Sequence, residues 1–306
     1  MATVDPTDRP DPALGSQAGG SPAIGPALQS PLRLVYWSVR RELWENRFLY
    51  LVPLIVAALY LAAFTIGAMR LPLPAARPPG EALDFVSMVL MLTYVIISVI
   101  YCLGALHNER ADRSILFWKS LPVSDVTTVV AKACFPIILL PLIIFAIIVV
   151  TQCITLLAGS AVLLARGVPA AQLWSQSSLL PMWAAMLYHL LTIHGLYYAP
   201  IYAWILLASG WARRAVFLWA SLPVVAVLIV EKLVFNSSLF AHMLLSRLQG
   251  GSSAVPFPPR GGMPMQAPTL ANVAAFVTSP GLWIGLAICA VFLAAAIRLR
   301  RYQGPI

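Results

Sequence analysis

HNERADRSILFWKSLPVSD, residues His107–Asp125, is the stretch whose reading decides the fold. Long apolar runs flank it, Asp84–Leu106 before and Val126–Ala158 after. The stretch itself has a different character. Glu109, Arg110, Asp112, Arg113 and Lys119 carry charge, while Ile115, Leu116, Phe117, Trp118 and Leu121 form a dense apolar patch. Glu109 precedes Arg113 by four positions, the favourable order for a helical ion pair. Pro122 should end that helix, because proline disfavours helical geometry in the residue before it and has no N–H of its own. Ser124 or Asp125 can then cap the next helix. A short amphipathic helix between two membrane-length runs is a surface built to touch something, either lipid headgroups or a protein.

Working outward, composition agrees with the membrane reading. Of 306 residues, 60% are hydrophobic and 10% charged, far from the usage of a soluble domain. Apolar windows longer than about 18 residues recur, each a candidate transmembrane helix. The net charge of +9 fits the lysine and arginine excess that holds membrane loops in the cytoplasm. It does not point to nucleic acid, because the basic residues are spread through connecting loops. Cys102, Cys134, Cys153 and Cys289 all fall within apolar runs without a CxxC pair, and read as packing residues.

In chain order, residues 1–30 are rich in Pro, Gly, Ala and Ser and have no basic region followed by an apolar core. They read as a disordered cytoplasmic tail and not as a signal peptide. Residues 31–306 read as one transmembrane domain. In Leu32–Arg47, the residues Leu32, Val35, Val39 and Leu43 recur at helical spacing, and Trp37 and Trp44 suit the headgroup layer. That is an interfacial helix lying flat before the first span. The expected spans are 48–68, 84–106, 126–158, 179–209, 215–233 and 280–297. The third is roughly 50 Å of helix and exceeds a bilayer, so Pro136 and Pro141 should kink it. Between the fifth and sixth spans, Leu239–Leu248 and Thr269–Val277 are apolar but too short to cross, and Gly250–Pro268 between them is rich in Gly and Pro. Two short outer helices flanking a turn fit that pattern, with their backbone buried in protein or lining a cavity. The fold class is therefore an all-α integral membrane protein with six transmembrane helices.

Six spans place both ends of the domain on one side. With that side inside, cytoplasmic segments hold twelve Lys and Arg and outer segments hold six, three of them in or beside the longest loop. Long loops count least, so the ends, and His107–Asp125 with them, are expected in the cytoplasm.

The common catalytic motifs are missing. Lys119, Lys132 and Lys232 follow Trp118, Ala131 and Glu231, so there is no Gly-Lys pair and no phosphate-binding P-loop. His189 and His194 are five apart with no glutamate between them, unlike HExxH, and a G-x-S-x-G elbow is absent. The sequence offers no catalytic, cofactor or metal-binding set. What remains is the polar groups within spans. His194, Tyr198 and Tyr202 align at i, i+4 and i+8 and either pack against other helices or line a translocation path. Glu231 and Lys232 lie near the outer end of the fifth span, as a local ion pair, a snorkelling site or an outer gate. Gly281-xxx-Gly285 permits two helices to approach closely.

NERADRSILFWKSLPVSDVTTVVAK (Asn108–Lys132) resembles the segment after the second span in bacterial ABC-2-type transporter permeases, where E-R-x-D-x-[ST]-I-L-F-W-K-S-L-P-V-S recurs. The resemblance is dense over about 25 residues; elsewhere it extends to layout alone, with an elbow helix, six spans and outer helices between spans five and six. It implies that the matched segment is a coupling helix docking on a separate ATP-hydrolysing ABC-type subunit. Glu109, Arg110, Asp112, Arg113, Phe117, Trp118 and Lys119 would then be interface residues. It also implies a bacterial inner-membrane permease, a homodimer or paired permease among membrane lipids, exporting or flipping an amphipathic or lipid-linked substrate. This chain would bind no cofactor, since ATP would be used by the partner. The alternatives are a non-transporting membrane anchor or regulatory module and, with no motif in its favour, an intramembrane enzyme.

Overall fold

The structure is a computed structural model that describes residues 31–70, 79–120, 124–175, 178–250 and 269–303. The expected tail, Pro122 and most of the Gly/Pro-rich outer turn lie outside these residues. Every regular element among them is helical: α1 (Pro31–Glu45), α2 (Phe48–Arg70), α3 (Pro79–Ala105), α4 (His107–Ala111), α5 (Ser114–Ser120), α6 (Asp125–Cys134), α7 (Leu140–Ala165), α8 (Ala171–Ser175), α9 (Leu179–His189), α10 (Ala199–Trp211), α11 (Val216–Val234), α12 (Leu239–Leu248), α13 (Leu270–Thr278) and α14 (Pro280–Tyr302). Two π-helical segments, Phe135–Leu139 and Leu190–Tyr197, join α6 to α7 and α9 to α10. Among the described residues six helices are long and apolar enough to cross a membrane: Phe48–Arg70, Gly80–Ala111, Asp125–Ala165, Leu179–Tyr197, Val216–Val234 and Pro280–Tyr302.

The core lies where α3, α7 and α10 meet, built on Val86, Leu90, Tyr94 and Ile97 of α3, Ile144 and Ile148 of α7, and Tyr202 and Leu206 of α10. The helix α14 packs along α10, and α2 packs along α7. Much of α2 and α11 keeps large apolar side chains exposed, as lipid-facing helices do.

The third span runs past its expected end at Ala158 and continues to Ala165. Gly159 does not break it, because the glycine packs beside Phe64 and Leu173, and the helix stops instead at Arg166 and Gly167, the latter at φ 75°. Of the two prolines expected to kink it, Pro136 lies in the π-helical segment, its missing N–H leaving an upstream carbonyl without its helical partner, whereas Pro141 sits in the first turn of α7. The two π segments pack against each other. A Cβ on Gly195 would lie 2.5 Å from the Ile137 carbonyl oxygen, so glycine is what permits this approach.

The two short helices form close to where the sequence places them, at Leu239–Leu248 and Leu270–Thr278, the second capped by the Thr269 hydroxyl.

Candidate functional site

The stretch His107–Asp125 folds as two helices and not one. Arg113 takes a left-handed backbone, φ 62°, between α4 and α5, and the Asp112 carboxylate accepts from the Ser114 N–H at 3.0 Å to start α5. The expected Glu109–Arg113 pair does not form, because the break takes Arg113 off the helical face that Glu109 occupies. Ser124 caps α6, its hydroxyl accepting from the Thr127 N–H at 3.1 Å.

Glu109 points into the molecule. It pairs with Arg300 of α14, with Lys132 of α6 at 3.1 Å and with Arg41 of α1 at 3.3 Å. Lys132 also meets Glu42 of α1 at 2.6 Å, and Arg300 meets Asp125 at 3.1 Å. Glu42 is 1% exposed and Lys132 3% exposed. The Tyr101 hydroxyl of α3 donates to Glu42 at 3.0 Å. Three carboxylates (Glu42, Glu109, Asp125) thus face three cations (Arg41, Lys132, Arg300), and the network ties five helices at one end of the bundle. Each of these buried charges has an opposite partner, which offsets the cost of removing it from water. At the rim Arg41 also reaches Glu45 at 3.4 Å, and there burial raises the Glu45 carboxyl above its ordinary range.

Arg110 is buried too, and donates to the Gly210 carbonyl at the end of α10. His107 Nδ1 lies 3.2 Å from the Ala212 carbonyl, and the Ser209 hydroxyl accepts from the backbone N–H groups of Leu106 and His107. The C-terminus of α10, with its partial negative charge and unpaired carbonyls, is closed by α4. Glu109 and Arg110, expected on a docking face, are therefore occupied within the chain. Among the described side chains of α5 the exposed ones are apolar: Leu116 is 58% and Phe117 60% exposed, while Ile115 is buried. Asp112 and Arg113 are exposed at the break between the helices. The side chains of Trp118 and Lys119 lie outside the described residues.

The residues expected on a path or gate are placed differently. Tyr202 and Tyr198 are buried within this chain. The Tyr202 hydroxyl donates to the Tyr94 hydroxyl at 3.2 Å, and Tyr198 donates to the Leu248 carbonyl of α12. The Tyr94 hydroxyl proton lies between the Pro136 and His194 carbonyl oxygens, at 2.5 and 2.9 Å, one from each π segment. His194 stacks obliquely on Tyr198, with ring centroids 5.3 Å apart. These contacts have the character of interhelical packing. Glu231 does not pair with Lys232. Its carboxylate accepts from the Ser237 hydroxyl and the Phe240 N–H, both at 2.9 Å, and so caps α12. The Gly281-xxx-Gly285 notch receives a side chain and not a helix. Arg247 donates to the Gly281 carbonyl at 2.7 Å, lies over the Tyr197 ring and fills the space a Cβ on Gly285 would need.

Glu42, Lys132 and Tyr94 were not singled out in the sequence, although two carried a signal. Lys132 is the one ionisable residue in a 40-residue apolar segment, which calls for a buried partner. Glu42 falls beside Val39 and Leu43 on the apolar stripe of α1. Among the described residues no group of three or more His, Cys, Asp or Glu could hold a metal ion, and the four cysteines are free. No family model, curated protein or solved structure matches the chain.

Proposed function

We propose that the chain is the permease subunit of an ATP-driven transporter in the bacterial inner membrane, coupled through His107–Asp125 to a separate ABC-type ATPase subunit. The observation that carries this reading is the exposed apolar face of α5, Leu116 and Phe117, presented beside a buried charged anchor. A helix that only rested on lipid would not need its neighbour tied by buried charges to four others. A helix that must transmit movement does, because a push on a loosely held helix would be absorbed locally. Glu109 and Arg110 then belong to the transmission and not to the docking face, which falls to Phe117, Trp118 and Lys119, with Asp112 and Arg113 at its edge. The helix α1 would be the interfacial elbow, both ends of the domain would be cytoplasmic, and the permease would act as a pair. Export or flipping of an amphipathic or lipid-linked substrate is the activity that the resemblance favours.

Co-purification tests this. An ABC-type ATPase subunit should come down with the chain from native membranes, and its hydrolysis should respond to the chain's presence. Phe117→Ala should lose most of that association, since truncating a buried aromatic anchor at an interface costs about 2 kcal/mol or more. The same variant should remain inserted and folded. Undiminished association in Phe117→Ala, with transport intact, would remove the coupling assignment.

A further inference from the structure

A groove of about 480 Å³ runs between the C-terminal halves of α10 and α14. Trp204, Leu207 and Trp211 form one wall, and Ala295, Arg298 and Tyr302 the other. The aromatic wall is held in place: the Trp204 indole donates to the Ala220 carbonyl at 2.9 Å and lies against Phe292, while Trp211 packs on Trp219 with centroids 5.0 Å apart. The groove is thus formed before anything enters it.

Its charge is one-sided. Arg298 is the single charged residue of the lining, is exposed, and among the described residues pairs with no carboxylate. Arg300, two positions on, differs in having both Glu109 and Asp125. Exposed Arg301 follows on α14, and exposed Arg213 and Arg214 occupy the turn after α10. An apolar slot with aromatic walls and an unneutralised basic mouth, between the short apolar helix α10 and the membrane-length α14, matches a phospholipid: chain in the slot, phosphate at the mouth. Tryptophan and tyrosine at this level suit the headgroup boundary.

We propose that this groove holds one acyl chain of an anionic phospholipid, with Arg298 taking its phosphate. The inference needs only that α10 and α14 lie in a bilayer, so it stands apart from the transport reading.

The test is native mass spectrometry of the full chain released from nanodiscs containing equal amounts of phosphatidylglycerol and phosphatidylcholine. Wild type should retain phosphatidylglycerol preferentially. Arg298→Gln should lower that preference about fivefold, the factor expected for one basic residue near an anionic surface. Arg298→Lys should restore most of it. Ala295→Phe, which fills the slot while leaving Arg298 in place, should lower retention of the lipid as a whole, and Leu207→Trp serves the same purpose if Ala295→Phe misfolds. An unchanged unfolding temperature in Arg298→Gln shows that binding and not folding was altered. Equal retention of the two lipids by wild type, or a preference that survives Arg298→Gln, overturns the proposal.

Discussion

The molecule is held together in two places by opposite means. At one end, Glu42, Glu109 and Asp125 answer Arg41, Lys132 and Arg300 charge for charge. At the centre of the bundle, the Tyr94 hydroxyl lies between two backbone carbonyls and receives the Tyr202 hydroxyl, all without a formal charge. The difference follows from which partners each region supplies. Ionic groups are tolerated where partners converge from several helices, so that each buried charge meets an opposite one. At the centre neutral hydroxyls suffice, because the groups they meet are the uncharged backbone carbonyls of Pro136 and His194. The charged end is therefore rigid and intolerant of a missing member, while the neutral centre should yield in smaller steps.

The contrast breaks or survives on measured unfolding. Lys132→Met leaves Glu42 and Glu109 buried beside too little positive charge. A broken buried pair costs about 3–5 kcal/mol, so thermal unfolding in detergent should show the largest loss here, with partial recovery in Glu42→Leu/Lys132→Met. No recovery in the double variant would mean that Lys132 matters for packing and not for pairing.

Gly195→Ala comes next. Its Cβ would meet the Ile137 carbonyl at 2.5 Å, forcing the π segments apart, and overpacking of this kind costs about 1–3 kcal/mol. Tyr94→Phe should cost less, about 0.6–2 kcal/mol, the range for hydrogen bonds between membrane helices. If Tyr94→Phe matched Lys132→Met in the same assay, the supposed difference between the two regions would be gone. The smallest effect belongs to Phe117→Ala, within about 0.5 kcal/mol on unfolding of the isolated chain, as for other exposed positions. A larger loss would show that Phe117 serves folding of the chain and not docking alone.

How much of this was readable in the residues depends on whether the signal was local. Six membrane-length helices among the described residues follow from apolar run lengths, although the fourth ends at Tyr197 and not at Ser209, and the short helix Leu239–Leu248 follows from its own apolarity. The Ser124 cap and the irregular turn at Pro136 follow from local backbone chemistry. Partners distant in sequence were not readable: Glu109 and Arg300 are 191 positions apart. The charges of the central stretch thus read as a docking face until the elements behind them were in place. Local expectation even misled, since the four-residue spacing of Glu109 and Arg113 suggested a pair that the left-handed turn at Arg113 prevents. In the same way, two glycines four apart on α14 suggested a neighbouring helix, and only the fold could reveal Arg247 there.

The π-helical segments have a consequence for register. A π turn accommodates a residue beyond the count of an α-helix, and one residue corresponds to a rotation of about 100°. Through Phe135–Leu139 the third span therefore changes phase, and side chains below it face a direction that periodicity counted from α7 would not give. Lys132 lies below that point and Gln152 above it; one meets Glu42, the other Ser87 and Trp183. Shortening the segment by one residue to regular α-helix would preserve every side chain on both halves yet turn one half against the other. Lys132 would rotate away from its carboxylates while Gln152 kept its neighbours. The extra residue sets the phase between the two ends of the span.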